Sequence, residues 1–134
     1  MQIKEIYSYI SILIISISLA SCSNEQMNAN GDCNLDVDCL TVVIIEETSE
    51  RVNLSSDKIT AINSQIWRDY VKKAGGQWRV VDKDADTKNE ENWVKESFTI
   101  RSHYLPRLIV ANASECVCMP MPQNIDMLME AIKR

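Results

Sequence analysis

Apolar and polar positions along this chain repeat with two different periods, and each change of period marks a new element. The run Leu40–Glu46 is apolar and rich in β-branched residues, which predicts a strand buried on both faces. After a polar stretch, apolar residues return at spacings of three and four, the period of one helix face. They are Ile59, Ile62, Ile66 and Tyr70. This spacing predicts one helix that is capped by Ser55 or Ser56 and ends at Gly75-Gly76.

The remaining periodic segments predict three more strands and two more helices. Trp78–Val81 is typical of a strand, Glu90–Phe98 of a short helix, and Arg107–Ala111 of a third strand. A fourth strand, Glu115–Met119, runs into prolines that cannot donate to a sheet ladder, which favours an edge position. Asn124 then caps a last amphipathic helix.

The order of these elements, β-α-β-α-β-β-α, predicts an α/β fold with a central mixed four-stranded sheet flanked by helices. A helix joins the first two strands, which implies that they run parallel. A short turn joins the last two strands, which implies an antiparallel hairpin.

This order is similar to the core of the thioredoxin fold, and three segments carry the resemblance. Val80–Asp84 resembles the acidic loop that ends the second thioredoxin strand, and Leu105–Val110 resembles the cis-proline segment that opens the third. Pro120–Pro122, followed by an amphipathic helix, resembles the C-terminal end of that fold. The resemblance covers about residues 40–133 and implies a cis peptide bond at Pro106.

The chain departs from thioredoxins where their chemistry resides. Thioredoxins carry Cys-x-x-Cys between the first strand and the first helix, where the helix N-terminus lowers the pKa of the attacking thiol. Here the corresponding segment, Glu46–Lys58, contains no cysteine. We therefore expect a thioredoxin-like binding or scaffold module without dithiol exchange, and the sequence indicates no cofactor.

The N-terminus resembles a bacterial lipoprotein signal peptide. Lys4 supplies a short charged region, Ile10–Leu19 is an apolar run broken by serines, and Leu19-Ala20-Ser21-Cys22 is similar to a lipobox. The apolar run is shorter than the ~20 residues that a spanning helix needs. By this resemblance Cys22 becomes the new N-terminus and is acylated on its thiol.

Three parts of the chain follow from this interpretation. They are a signal peptide at 1–21, a lipidated cysteine with a polar tether at 22–39, and a thioredoxin-like domain at 40–134. The expected partner is the lipid bilayer of the bacterial cell envelope, with the membrane and leaflet left open. A net charge of −5 argues against nucleic acid as a ligand, while a protein partner stays open.

Four further cysteines make an even set in an oxidising compartment, which permits disulfides. They are Cys33, Cys39, Cys116 and Cys118. We prefer a Cys33–Cys39 bridge, which would close a local loop where the chain enters the domain. Zinc binding by the set is disfavoured in that compartment, and no metal site is predicted.

Cys116-Val117-Cys118 offers the alternative function, an atypical thiol–disulfide oxidoreductase. Residues i and i+2 of a strand share a face, so the two thiols can reach a common partner. No lysine or arginine lies in residues 111–123 to lower their pKa. A structural role in a disulfide or in the core is therefore the preferred interpretation.

The sequence offers weaker candidates for a catalytic site, a calcium site and a binding surface. His103 is the only histidine, so a Cys–His or Ser–His mechanism must use it, but an ordinary loop position is preferred. Asp82, Asp84 and Asp86 are spaced like the first ligands of a calcium loop, whose glycine and final glutamate are missing. Three tryptophans are expected in the core or at its boundary, with Trp67 partly exposed at the edge of the apolar stripe.

Overall fold

A computed structural model describes residues 33–134, so the predicted signal peptide, Cys22 and most of the tether lie outside the described residues. The strands are β1 (Thr41–Glu46), β2 (Gln77–Asp82), β3 (Arg107–Ala111) and β4 (Cys116–Pro120). The helices are α1 (Ser56–Asn63), α2 (Gln65–Lys73), α3 (Asn92–Ser97) and α4 (Ile125–Ile132), with a 3₁₀ helix at Thr48–Asn53. In this part of the chain, none of the helices has the length and apolar character needed to cross a bilayer.

The four strands form one mixed sheet in the order β2-β1-β3-β4. β1 and β2 are parallel, whereas β3 is antiparallel to both β1 and β4. The predicted α/β fold with the order β-α-β-α-β-β-α is therefore confirmed, and so is the edge position of β4. This is the sheet arrangement of a thioredoxin-like fold.

Helices cover the sheet on both faces, and alternate residues of the strands feed two separate cores. Val42, Ile44 and Leu108 face the core built with α1, α2 and α4. Val43, Ile45 and other residues on the second face pack with α3 and with residues 33–37. Every residue of β1 is at least 97% buried, as its uninterrupted apolar pattern predicts.

The predicted single helix is wrong at Ser64, where the chain breaks into α1 and α2. Ser64 adopts an extended conformation (ψ 132°), and its hydroxyl accepts a hydrogen bond from the backbone N–H of Ile66, capping α2. This break rotates the buried face of α2 away from the stripe that a continuous helix would present. Ile66 is consequently 62% exposed, while Trp67 is fully buried, contrary to its expected partial exposure.

Trp67 is the largest of the fully buried side chains, and it joins α2 to its surroundings. Its indole N–H donates to the carbonyl of Ala61 at 3.0 Å, so the polar edge of the ring is satisfied. Its ring meets the half-buried Trp78 of β2 edge to face, with centroids 5.4 Å apart. Trp93, on α3, is buried in the opposite core.

Residues 33–37, which the sequence assigns to the tether, lie in the core of the second face. Leu35 and Val37 are 6% and 8% exposed, so two apolar side chains of the supposed tether are buried. In an extended segment, residues two positions apart lie on the same side of the chain, so Leu35 and Val37 can both face the sheet.

The break at Ser64 predicts opposite effects at two adjacent positions. Trp67→Ala should lower the free energy of unfolding by about 3–5 kcal/mol, because it empties a fully buried ring volume. Ile66→Ala should change it by no more than about 0.5 kcal/mol, because that side chain faces water. Urea denaturation of both variants measures the difference, and a larger loss for Ile66→Ala would show that the helix continues through Ser64.

Candidate functional site

The 3₁₀ helix Thr48–Asn53 occupies the place where thioredoxins carry their two cysteines. It begins directly after β1 and leads into α1, whose cap is the Ser55 hydroxyl accepting from the backbone N–H of Lys58. Its sequence, TSERVN, contains neither a thiol nor an imidazole. The helix N-terminus at this site therefore has no thiol to activate.

Two acidic residues at the ends of adjacent strands hold this segment. At the end of β2, Asp82 Oδ2 accepts from the backbone N–H of Thr48 at 2.8 Å and from its hydroxyl at 2.6 Å. At the end of β1, Glu46 Oε1 accepts from Arg51 Nε at 2.9 Å and lies 2.7 Å from Arg51 Nη2. These contacts tie both ends of the 3₁₀ helix to the sheet.

The hydrogen bonds from Thr48 lower the pKa of Asp82, with a smaller contribution from the backbone N–H of Asp84. The carboxylates of Glu47, Asp82 and Asp84 lie within 4.8 Å of one another. Lys83 Nζ approaches Glu47 Oε2 at 2.8 Å, so the protein's own cation sits at this cluster. Asp86, the third residue of the calcium-like spacing, instead accepts from the backbone N–H of Lys88.

The Leu105–Pro106 peptide bond is cis, the isomer that the resemblance implies. The carbonyl of Pro106 accepts from the backbone N–H of Met121 at 3.0 Å, which links the start of β3 to the end of β4. Because Arg107 pairs with Ile45 near the end of β1, this loop shares one end of the sheet with the 3₁₀ helix. The geometry therefore assembles the framework of a thioredoxin site without its thiols.

His103 lies exposed in the loop that leads to Pro106. Within residues 33–134, no hydrogen bond joins it to Ser55 or Ser56, the hydroxyls that a Ser–His hydrolase would need beside it. The loop also exposes apolar surface, since Tyr104 and Leu105 are 49% and 42% exposed. His103 thus keeps the loop position that the sequence favours.

The preferred Cys33–Cys39 bridge is wrong, because Cys33 pairs with Cys116 at the start of β4. Their Cα atoms are 5.4 Å apart, although 83 positions separate them in the chain. Residues 33–37 pack against the sheet rather than turning back, and this carries Cys39 away towards β1. Cys39 stays half-buried and outside the disulfide.

Cys118 lies two residues beyond Cys116 and is 3% exposed. Burial raises the pKa of its thiol, while a hydrogen bond with the Ser102 side chain and the charge of Arg107 oppose this rise. Arg107 escaped sequence reasoning because it lies just outside residues 111–123, although it starts the strand paired with β4. Since Cys116 is held by Cys33, the two thiols proposed for a Cys-x-Cys site do not form a dithiol pair.

Sequence reasoning also missed a groove of about 420 Å³ beside the edge strand β4. Its apolar wall includes Met119, Met121 and Met127, and Glu130 and Arg134 add charge. The Met-Pro-Met-Pro run at the end of β4 is the only local signal for it in the sequence. Met127 is 48% exposed, so part of this apolar surface faces water.

Comparison with family models, with curated proteins and with solved structures finds no match to this chain. The description of its fold therefore depends on the order of its elements, the sheet topology and the position of the cis-proline.

The Asp82–Thr48 contact predicts a measurable change in titration. Thr48→Val removes the hydroxyl donor, the largest cause of the lowered pKa, so the pKa of Asp82 should rise towards its usual value. Stabilisation by a carboxylate with a lowered pKa is present above its unfolded pKa and is lost as the pH falls through the folded pKa. Thr48→Val should therefore weaken the dependence of stability on acid.

Carboxyl NMR titration of the variant measures this shift directly. Ser49→Ala is the matched control, because the Ser49 hydroxyl donates to Glu47 and not to Asp82. An unchanged pKa of Asp82 in Thr48→Val would contradict the arrangement described for this segment.

Proposed function

We propose that this chain is an exported, lipid-anchored, thioredoxin-like protein that acts as a binding or scaffold module without dithiol redox activity. The observation that carries the proposal is the 3₁₀ helix in the place of Cys-x-x-Cys. It is fixed by Glu46 and Asp82 rather than left as an open loop. A site with a thioredoxin-like framework but no thiol is suited to holding a partner rather than exchanging electrons with it.

Exposed apolar side chains at the same end of the sheet support a protein partner. Val52 in the 3₁₀ helix is 88% exposed, and Tyr104 and Leu105 project from the loop before Pro106. The segments that carry them are adjacent because Ile45 of β1 pairs with Arg107 of β3. Apolar groups grouped on an otherwise polar surface are typical of interaction sites.

A second candidate function is an atypical thiol–disulfide oxidoreductase that uses Cys116 and Cys118. It is favoured by the guanidinium of Arg107 and the hydroxyl of Ser102 beside the Cys118 thiol. It is disfavoured by the deep burial of that thiol and by the bond from Cys116 to Cys33. Thiol–disulfide exchange by Cys116 and Cys118 would require the Cys33–Cys116 disulfide to be broken first, because Cys116 has no free thiol while it is bonded to Cys33.

The two functions differ in thiol turnover. We expect the chain from Ser23 onward to reduce insulin disulfides, with dithiothreitol as the electron source, no faster than a variant without cysteines. The reason is the lack of a thiol at the helix N-terminus of this site. Turnover well above the cysteine-free control would exclude the binding module and favour the oxidoreductase.

The anchor makes an independent prediction at Cys22. Cys22→Ala should abolish incorporation of labelled palmitate and the stable membrane attachment that acyl chains provide, since several chains are needed for firm anchoring. Residues 33–134 should fold unchanged, because their core is self-contained. Ser21→Ala, which keeps the thiol and a small residue before it, is the matched control and should remain labelled. Equal labelling of Cys22→Ala and wild type would exclude acylation at this position.

A further inference from the structure

Residues 33–37 form a strap across the second face of the sheet. The strap is bonded to β4 through Cys33–Cys116, and its Leu35 and Val37 side chains enter the apolar cluster of that face. It also donates one hydrogen bond to α3, from the backbone N–H of Asp36 to Glu96 Oε2 at 3.3 Å. The disulfide is the covalent element among these contacts.

The Cys118 thiol belongs to the same cluster as the strap. It sits on the edge strand β4, opposite Ile109 of β3, and only 3% of the residue is exposed. Cys116, two positions earlier, packs against this cluster too. The covalent bond of the strap to β4 therefore lies two residues from this thiol, and the strap and the thiol belong to one apolar cluster.

Arg107 gives this thiol an unusual polar neighbour. The residue is only 9% exposed, and its Nε has no hydrogen-bond partner within residues 33–134. No salt bridge in that part of the chain engages its guanidinium. Buried arginines are normally paired with an anion, so a thiolate at Cys118 would supply the missing negative charge.

We propose that the Cys33–Cys116 disulfide locks the strap over Cys118, and that reduction by a dithiol turns Cys118 into an accessible nucleophile stabilised by Arg107. The proposal is independent of the binding function, because it concerns the opposite face from the α1–α2 core and needs no partner at the 3₁₀ helix. It makes the chain a target of dithiol reductants.

The disulfide is open to such a reductant. Cys33 and Cys116 are both half-buried, and they line a surface cavity of about 170 Å³ together with Asn34 and residues 112–115. A thiolate of the dithiol attacks one sulfur, the S–S bond breaks, and the other sulfur leaves as a thiolate that takes a proton. The second thiol of the reductant then attacks the mixed disulfide. Two electrons and two protons pass to the cysteines, and the reductant becomes a disulfide.

Release of the strap changes the balance of the effects that set the pKa of the Cys118 thiol. Burial is the largest cause of its raised pKa, and the Ser102 hydrogen bond and the Arg107 charge are opposing effects. When water reaches the thiol, the effect of burial falls while both opposing groups remain on β3 and its preceding loop. The thiolate fraction at neutral pH therefore rises, and with it the rate of alkylation.

The charged groups on the surrounding elements are partly or fully exposed, and Arg79 of β2, over the Trp93 ring, is paired with Glu90 and Glu91. Asp36 belongs to the strap and leaves with it, and Glu96 on α3 accepts from the backbone of that same residue. Arg101 and His103 are exposed in the loop that carries Ser102. Arg107 is thus the buried charge of this face, and removing it should raise the pKa of the released thiol.

Alkylation kinetics test the lock. In the chain from Ser23 onward with Cys39→Ser, Cys118 is the only cysteine outside the disulfide, so mass mapping after iodoacetamide treatment reports on it alone. We expect Cys33→Ser/Cys116→Ser to raise the alkylation rate of Cys118 by at least about tenfold, the effect of one pKa unit on a small thiolate fraction. Adding Arg107→Met should move the rate profile to higher pH, and Arg107→Lys should restore most of it.

A second measurement uses the disulfide-containing chain reduced by dithiothreitol and desalted before alkylation. Near-ultraviolet circular dichroism, recorded in a Trp93→Phe background so that the remaining tryptophans Trp67 and Trp78 lie in the opposite core, reports whether the reduced domain stays folded. Equal alkylation rates with and without the disulfide would overturn the proposal. Loss of the tryptophan signal on reduction would overturn it as well, because the lock requires a folded reduced state. A pH profile unaffected by Arg107→Met would remove Arg107 from the site.

Discussion

Complete burial of β1 on both faces is the constraint on which the rest of the structure depends. A strand with Val42 and Ile44 on one side and Val43 and Ile45 on the other leaves no face for water, so it must lie inside a sheet and between two layers. Its neighbours β2 and β3 satisfy its backbone, and helices cover it on one side. On the other side, short α3 is not sufficient, and the strap completes the layer.

The burial of β1 extends to its last residue, Glu46, whose carboxylate therefore needs a charged partner. Glu46 ends β1 at 3% exposure, and its carboxylate accepts from Arg51 through one oxygen. A buried carboxylate is tolerated when an opposite charge accompanies it, so Arg51 and the segment around it are drawn to the end of the strand. Thioredoxins carry thiols between their first strand and first helix, whereas this chain has an ion pair there.

Two cores on opposite faces of the sheet place the disulfide and Cys118 on one side of the domain. The core of α1, α2 and α4 holds the two tryptophans Trp67 and Trp78 and contains no cysteine. The core of the second face contains Cys118, with Cys33 and Cys116 packed against it. A change in disulfide state therefore acts first on the thinner layer, where a short segment without helix or strand supplies part of the cover.

Local pattern determined the elements of this protein, because periodicity reports directly which side chains avoid water. The pattern predicted every strand, the edge position of β4 and the hairpin. The resemblance to thioredoxins predicted the cis peptide bond before Pro106. The pattern failed at a local helix break and at contacts between distant residues. The apolar spacing of residues 59–70 fitted one continuous helix, so it did not indicate the break at Ser64 that exposes Ile66. The Cys33–Cys116 pairing depends on how residues 33–37 cross the sheet, and the approach of Arg107 to Cys118 depends on the register of the hairpin, and only the tertiary structure decides both.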